Sequence, residues 1–266
     1  MNRKFFRTTL AGLAGALMLS PMAAAAQVEL NNTVLPQTEG WIENGVSYVT
    51  LSALSREGDY TLAWDGNRAV LTGQGAELTA QPGALYVEVN GRALYVPGGV
   101  PVVDGRTALP LRVLEDALDG AVSWDNQSAT ARMDTRGAVA EGASYGEEDL
   151  YWLSRIISAE SRGESLLGQI AVGNVVLNRV RADQFPDTIK GVVFDRKNGV
   201  QFEPVENRTI YDTPTPNSVL AAKLALEGAD VVGDCLYFFA PALSKGTWIV
   251  NNRQYYTTIG CHRFYI

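Results

Sequence analysis

Histidine and cysteine are scarce in this chain of 266 residues: His262 stands alone, and Cys235 and Cys261 are its only thiols. A zinc hydrolase gathers two or three histidines, or a cysteine-rich set, around one metal. That set cannot be assembled here, which argues against a zinc amidase or zinc peptidase; neither a metal nor a cofactor is expected. Basic charge is also short. The chain carries 22 Lys and Arg against 29 Asp and Glu, a poor match to nucleic acid, whose binders present a basic face. After residue 26 no apolar run reaches the roughly 20 residues that a spanning helix needs, so no membrane span is expected there.

The first 26 residues stand apart. They begin with Arg3, Lys4 and Arg7, continue through a short apolar stretch and leave through small residues at 23–26. That order reads as a secretory signal, and the mature protein as secreted or held at the cell envelope. In an oxidising compartment two cysteines read first as a disulfide. Bridged, Cys235 and Cys261 would close a loop of roughly 25 residues, worth about 3–4 kcal/mol in the loop-entropy account. Charge divides the remainder unevenly: residues 27–134 carry 6 basic and 14 acidic side chains, residues 135–266 carry 13 and 15. Different electrostatics suggest two domains. Residues 135–148, "TRGAVAEGASYGEE", have the small, polar composition of a linker between them.

The first segment, 27–134, contains an internal echo. Gly45, Leu51, Leu54, Trp64 and Asp65 recur as Gly105, Leu111, Leu114, Trp124 and Asp125 at a constant offset, the mark of a duplication. Each copy predicts a short extended piece, a brief amphipathic helix, then a Trp-Asp turn into a strand. Between the copies, Asn90-Gly91 within alternating apolar residues predicts a hairpin. "VNGRAL" and "DGRTALPLRVLEDALDGAVSWD" resemble the copper amine oxidase N-terminal-like domain over roughly residues 28–134. The resemblance implies a small duplicated α/β module that docks on a cell-envelope component or serves as a spacer. No histidine is present there to bind copper.

The second segment, 149–266, opens with Leu150, Leu153, Ile156 and Ile157 at helical spacing. Glu160 follows one turn on, near the helix end and its apolar stripe. The negative end of the helix dipole and partial burial both raise a carboxyl pKa. A carboxyl kept protonated near neutral pH is what a general acid requires, whereas a solvated carboxylate is the bland alternative. Ser161 and Glu164 fit a capping box, with Ser161 as N-cap and Glu164 at the third helical position. Glu164 is also carried as a candidate substrate contact, with Gln169 and Asn174 on the apolar helix that follows and Tyr237 on an aromatic strand. Each has a structural alternative: local satisfaction for the amides, core packing for the tyrosine.

Four stretches in order, "ISAESRGESLLGQIAVGNVVLNRVRADQFPDTIKGVVF", "QFEPVENRTIY", "GDCLYFFAP" and "TIGCHRFY", resemble the spore-cortex-lytic cell wall hydrolases of the SleB type over about residues 149–266. The resemblance implies a mainly helical, lysozyme-like catalytic domain with short strands that cleaves the glycan strands of peptidoglycan. The fold class expected for the whole chain is therefore α+β in two domains. The family's catalytic glutamate, first in its E-A-R-G-E motif, falls on Glu160, with Ser161 in place of the usual alanine. A lytic transglycosylase works with one carboxyl group. A true muramidase or glucosaminidase needs two, and Glu203 and Glu206 beside Pro204 are then the candidates for the second. Two rivals stand beside these. One is a papain-like peptidase using Cys235 or Cys261 with His262, disfavoured because adjacent residues in a strand point opposite ways. The other is a non-catalytic wall-binding or spore-structural protein.

Overall fold

The computed structural model describes residues 26–197, 199 and 201–266. The expected secretory signal, Ala26 apart, lies outside the described residues. Among those described, no helix is long and apolar enough to cross a membrane.

The first domain is rich in strands. β1 (Gln27–Leu30) and β2 (Thr33–Val34) lead to the hairpin of β3 (Gly40–Glu43) and β4 (Val46–Thr50). Then come α1 (Leu51–Glu57), β5 (Thr61–Asp65), β6 (Arg68–Gly73), β7 (Ala76–Ala80), β8 (Tyr86–Val89) and β9 (Arg92–Tyr95). The hairpin–helix–hairpin order returns in β10 (Val102–Val103), β11 (Arg106–Pro110), α2 (Leu111–Leu118), β12 (Ala121–Asp125) and β13 (Thr130–Asp134). Thr50 caps α1 by accepting from the Ala53 N–H. Asn90 and Gly91 both take positive φ, 49° and 81°, as the tight turn of a hairpin requires. Strands β5 to β9 form one antiparallel meander. β1 runs parallel to β13, which ties the start of the domain to its end. Residues 135–146 follow the surface of this domain: Thr135 and Ala140 are buried, and the Ala140 carbonyl accepts from Asn90.

The second domain is built on α3 (Glu147–Ser161), α4 (Leu166–Arg181) and α7 (Pro216–Leu226), with the shorter α5 (Ile189–Val193) and α6 (Glu203–Glu206) between the last two. Ile156, Ile157, Ile170, Val172, Val176, Ala221 and Leu224 are buried in one cluster. Each Ile, Val and Leu among them contributes about 1.5–3 kcal/mol by leaving water. α4 lies close to α3 and α7 at Gly173, where a Cβ would stand 2.9 Å from Ile157 Cδ1 and 3.3 Å from Ala225 Cβ. Pro216 sits in the first turn of α7, Thr215 caps it, and Gly228 leaves it at φ 93°. β14 (Tyr237–Phe239), α8 (Thr247–Asn252), β15 (Tyr255–Ile259) and β16 (His262–Tyr265) complete the chain. β16 is the central strand of their sheet and pairs Phe264 with Phe238.

The expected capping box is corrected. Ser161 belongs to the end of α3, where its buried hydroxyl donates to the Ile157 carbonyl. Ser165 is the cap of α4, accepting from the Gly168 N–H. The turn between the helices takes four residues to complete, and the second serine, not the first, meets the free amides.

The domains meet along β9 and α7. Ala93, Tyr86 and Tyr95 join the apolar cluster of the helices. Lys223 donates to the Gly91 carbonyl, and Arg92 gives Nε and Nη2 to Glu227 Oε2 at 3.0 and 2.7 Å.

Candidate active site

Glu160 lies in the last turn of α3 and lines a pocket of about 240 Å³ with Arg179, Glu203, Phe238, Leu243 and His262. The pocket continues into a larger cleft of about 850 Å³, walled by Phe185, Tyr237, Trp248 and Arg253, with Arg179 and Phe238 shared between the two. Side chains from α3, α4, α6, β14, α8 and β16 thus contribute, and they converge because β14 and β16 lay their aromatic faces beside the ends of α3 and α4.

Burial is the main reason that the Glu160 carboxyl is raised to about 7. The charge of Glu203 raises it further, and Arg179 opposes both. Arg179 is 5 % exposed, with Nε donating to the Leu236 carbonyl and Nη1 buried without a partner. Its guanidinium faces the rings of Phe185, Phe202 and Tyr237 at 5.1, 5.2 and 5.6 Å. Burial lowers its pKa to about 10, so it remains a cation at neutral pH. The sequence reading missed Arg179, which follows Val175 and Val176 and, with Arg181 two residues on, looks like ordinary basic charge in the last turn of a helix.

Tyr237, expected to meet substrate, stands in the cleft wall. Its hydroxyl accepts from Arg253 at 3.0 Å and its ring packs edge-on against Trp248. Gln169 and Asn174 do not reach the cleft, which corrects their expected role. Gln169 is 1 % exposed, donates to the Glu164 carbonyl and accepts from Ser218. Asn174 holds the chain after α7 by donating to the Ala229 carbonyl and accepting from the Val231 N–H. Both amides are satisfied inside the fold, as buried polar groups must be.

Glu164 also turns away from the pocket lining. Its Oε2 accepts from the Cys261 N–H at 3.0 Å, and its Oε1 stands 3.9 Å from His262 Nδ1. Burial lowers the His262 pKa, so the ring facing Glu164 is neutral near pH 7 and its Nδ1 has no hydrogen-bond partner. A side chain at Gly260 would strike Glu164, with a Cβ only 1.8 Å from Oε2. Position 260 also takes φ +57°, so glycine is required twice over.

The expected disulfide is absent: both thiols are free, Cys235 buried and Cys261 exposed. Cys235 is fixed among the aromatic strands, with its carbonyl held by Asn178, while Cys261 is carried outward in the turn between β15 and β16. Burial pushes the Cys235 thiol up to about 11, and the Glu164 carboxylate raises that of Cys261. Neither supplies the thiolate that a cysteine nucleophile needs. The native protein should release one equivalent of thionitrobenzoate from Ellman's reagent, and a second only in denaturant. No release at all in denaturant would restore the bridge.

Two family models match the chain: Cell Wall Hydrolase over residues 163–265, beginning just after Glu160, and Copper amine oxidase N-terminal domain over residues 28–133. Curated relatives are described as spore cortex-lytic enzymes. The Bacillus cereus protein is 38 % identical over 120 residues, covering 45 % of this chain and 45 % of its own. The Halalkalibacterium halodurans protein is 35 % identical over 122 residues, covering 46 % and 36 %. The chain thus spans about half the length, or less, of these relatives. A solved structure, the catalytic domain of the germination-specific lytic transglycosylase SleB from Bacillus anthracis, is 36 % identical. It matches over 47 % of this chain and 100 % of its own, with a TM-score of 0.43. Residues 163–265 thus match the cell wall hydrolase family and residues 28–133 the copper amine oxidase N-terminal domain.

Proposed function

We propose that this chain is an exported peptidoglycan lytic enzyme that cleaves the glycan strand as a lytic transglycosylase, with Glu160 as its one essential carboxyl group. The observation that carries this reading is the environment of Glu160. A carboxyl raised to about 7 in an aromatic pocket holds its proton at neutral pH and can deliver it to a bridging oxygen. As the carboxylate so formed it takes the proton of the muramoyl C6 hydroxyl, whose oxygen closes onto C1 to give the 1,6-anhydro product. Arg179 offers its unspent Nη1 to a carbonyl or hydroxyl of the sugar, and Tyr237 and Trp248 supply ring faces along the cleft.

Relatives described as spore cortex-lytic enzymes support the cortex or cell wall as the place of action, outside the cytoplasm. We read the second domain, residues 149–266, as lysozyme-like in its core. Residues 27–134 are read as a duplicated module that associates with the envelope, and residues 135–148 as the connection between the two. A second reading, hydrolysis, draws on one observation: Glu203 lines the same pocket and is exposed enough to work on water. Glu206 lies elsewhere, in a depression with Arg208 and Tyr211.

Mass spectrometry of muropeptides released from purified peptidoglycan and spore cortex separates the two. Anhydro ends are expected, and they should persist in Glu203→Gln. Reducing ends that vanish in Glu203→Gln would establish hydrolysis instead. Release of nothing from either substrate would replace both with the wall-binding reading.

A further inference from the structure

A second cavity, of about 670 Å³, opens between the two domains, away from every residue of the cleft. Its size falls within the range of roughly 300–1,000 Å³ typical of sites for small ligands. Its first-domain wall carries Tyr48, Tyr95, Trp124 and Asp116, and its second-domain wall carries Glu227 and Asp230.

The aromatic groups are held in place before any ligand arrives. Tyr48 stacks on Trp41, its cross-strand neighbour, with ring centres 5.2 Å apart and planes 13° apart. Trp124 is half exposed, and its Nε1 donates to Asn126 Oδ1 at 2.9 Å, which fixes the indole on the surface of β12. The acceptors are carboxylates. Glu227 has a side chain only 3 % exposed, gives Oε2 to Arg92 and leaves Oε1 without a partner. A wall that mixes flat apolar rings with carboxylate oxygens matches a pyranose, whose C–H face stacks on aromatic carbon while its hydroxyls donate to anions. Three carboxylates against one cation, Arg112, line the space, which disfavours a phosphate or carboxylate ligand.

We infer that the interdomain cavity is a second saccharide site, which holds an N-acetylhexosamine unit of a glycan strand against both domains at once. The inference rests on the peptidoglycan reading of the cleft for the identity of the glycan, and on the cavity alone for the presence of a site. Neither domain could form this site alone, and its occupancy would tie together the faces that Arg92 and Glu227 already join.

The test is calorimetric titration of the Glu160→Gln protein with the neutral tetramer of N-acetylglucosamine. Two sites per chain are expected. Trp124→Ala, a substitution on an exposed strand face, should weaken one of them roughly tenfold and leave the other. Tyr237→Ala should do the converse. Asp116→Asn, which keeps the shape of the side chain, guards against a folding artefact and should weaken the same site as Trp124→Ala. If the cleft does not bind glycan, one site remains and still responds to Trp124→Ala. A titration unchanged by both Trp124→Ala and Asp116→Asn overturns the inference.

Discussion

Glu160→Gln should lower the release of glycan fragments from purified peptidoglycan by roughly 10³-fold, within the range that a positioned general acid contributes. Glutamine keeps the shape and loses the proton. The pH dependence of the parent enzyme should carry the same signature. The Glu160 carboxyl is raised to about 7 from its ordinary 4.5, chiefly by burial, so the acid form survives to neutral pH and kcat/KM falls as pH rises beyond it. The sign of the stability effect follows. Folding favours the neutral form, so that stabilisation is fully present below the ordinary carboxyl pKa and is lost as pH rises through about 7. Glu160→Gln should therefore raise the melting temperature at pH 8 and change it little at pH 4. A kcat/KM profile flat to pH 8, or a lower melting temperature of the variant at pH 8, would remove Glu160 as the acid.

The second large effect concerns the seam between the domains. Arg92→Met strands Glu227, whose Oε1 already lacks a partner and whose side chain is 3 % exposed. Breaking a buried pair from one side costs roughly 3–5 kcal/mol, because a charge is left without compensation. Replacing both partners by apolar groups of similar volume is close to neutral. Arg92→Met should therefore lose at least about 3 kcal/mol in urea denaturation, or split one transition into two as the domains part. Arg92→Met/Glu227→Met should recover most of the loss. Equal losses in the single and double variants would show that the pair contributes packing and no electrostatic coupling.

Much of this architecture could be read from the chain because its signals are local. Asn90-Gly91 supplies the positive φ of a hairpin, Pro216 and Gly228 bracket α7, and Glu160 falls where helical spacing meets an apolar stripe. The misreadings share another cause. Ser161 and Ser165 both precede an apolar run, and only the turn geometry decides which one meets the free amides of α4. Gln169 and Asn174 look like exceptions on a buried face, but their partners are Ser218 and the backbone at Ala229 and Val231, some 50 residues on. Arg179 was invisible for the same reason. Its significance comes from Leu236, Tyr237 and Phe202, which the fold alone brings to it. The cysteine pair shows the limit of counting, since compartment and number favour a bridge that the placement of β14 and β16 does not make.

The position of β16 has a temporal consequence. It is the middle strand of its sheet and supplies His262 to the pocket, yet it lies at residues 262–265, after every other element. A chain that emerges from its N-terminus first can complete the module at 27–134 and pack α3 on α4 long before this strand exists. Glu160 then stands on a finished helix with one wall of its chamber missing. The chamber around Glu160 closes only once β16 has been made and has paired between β14 and β15.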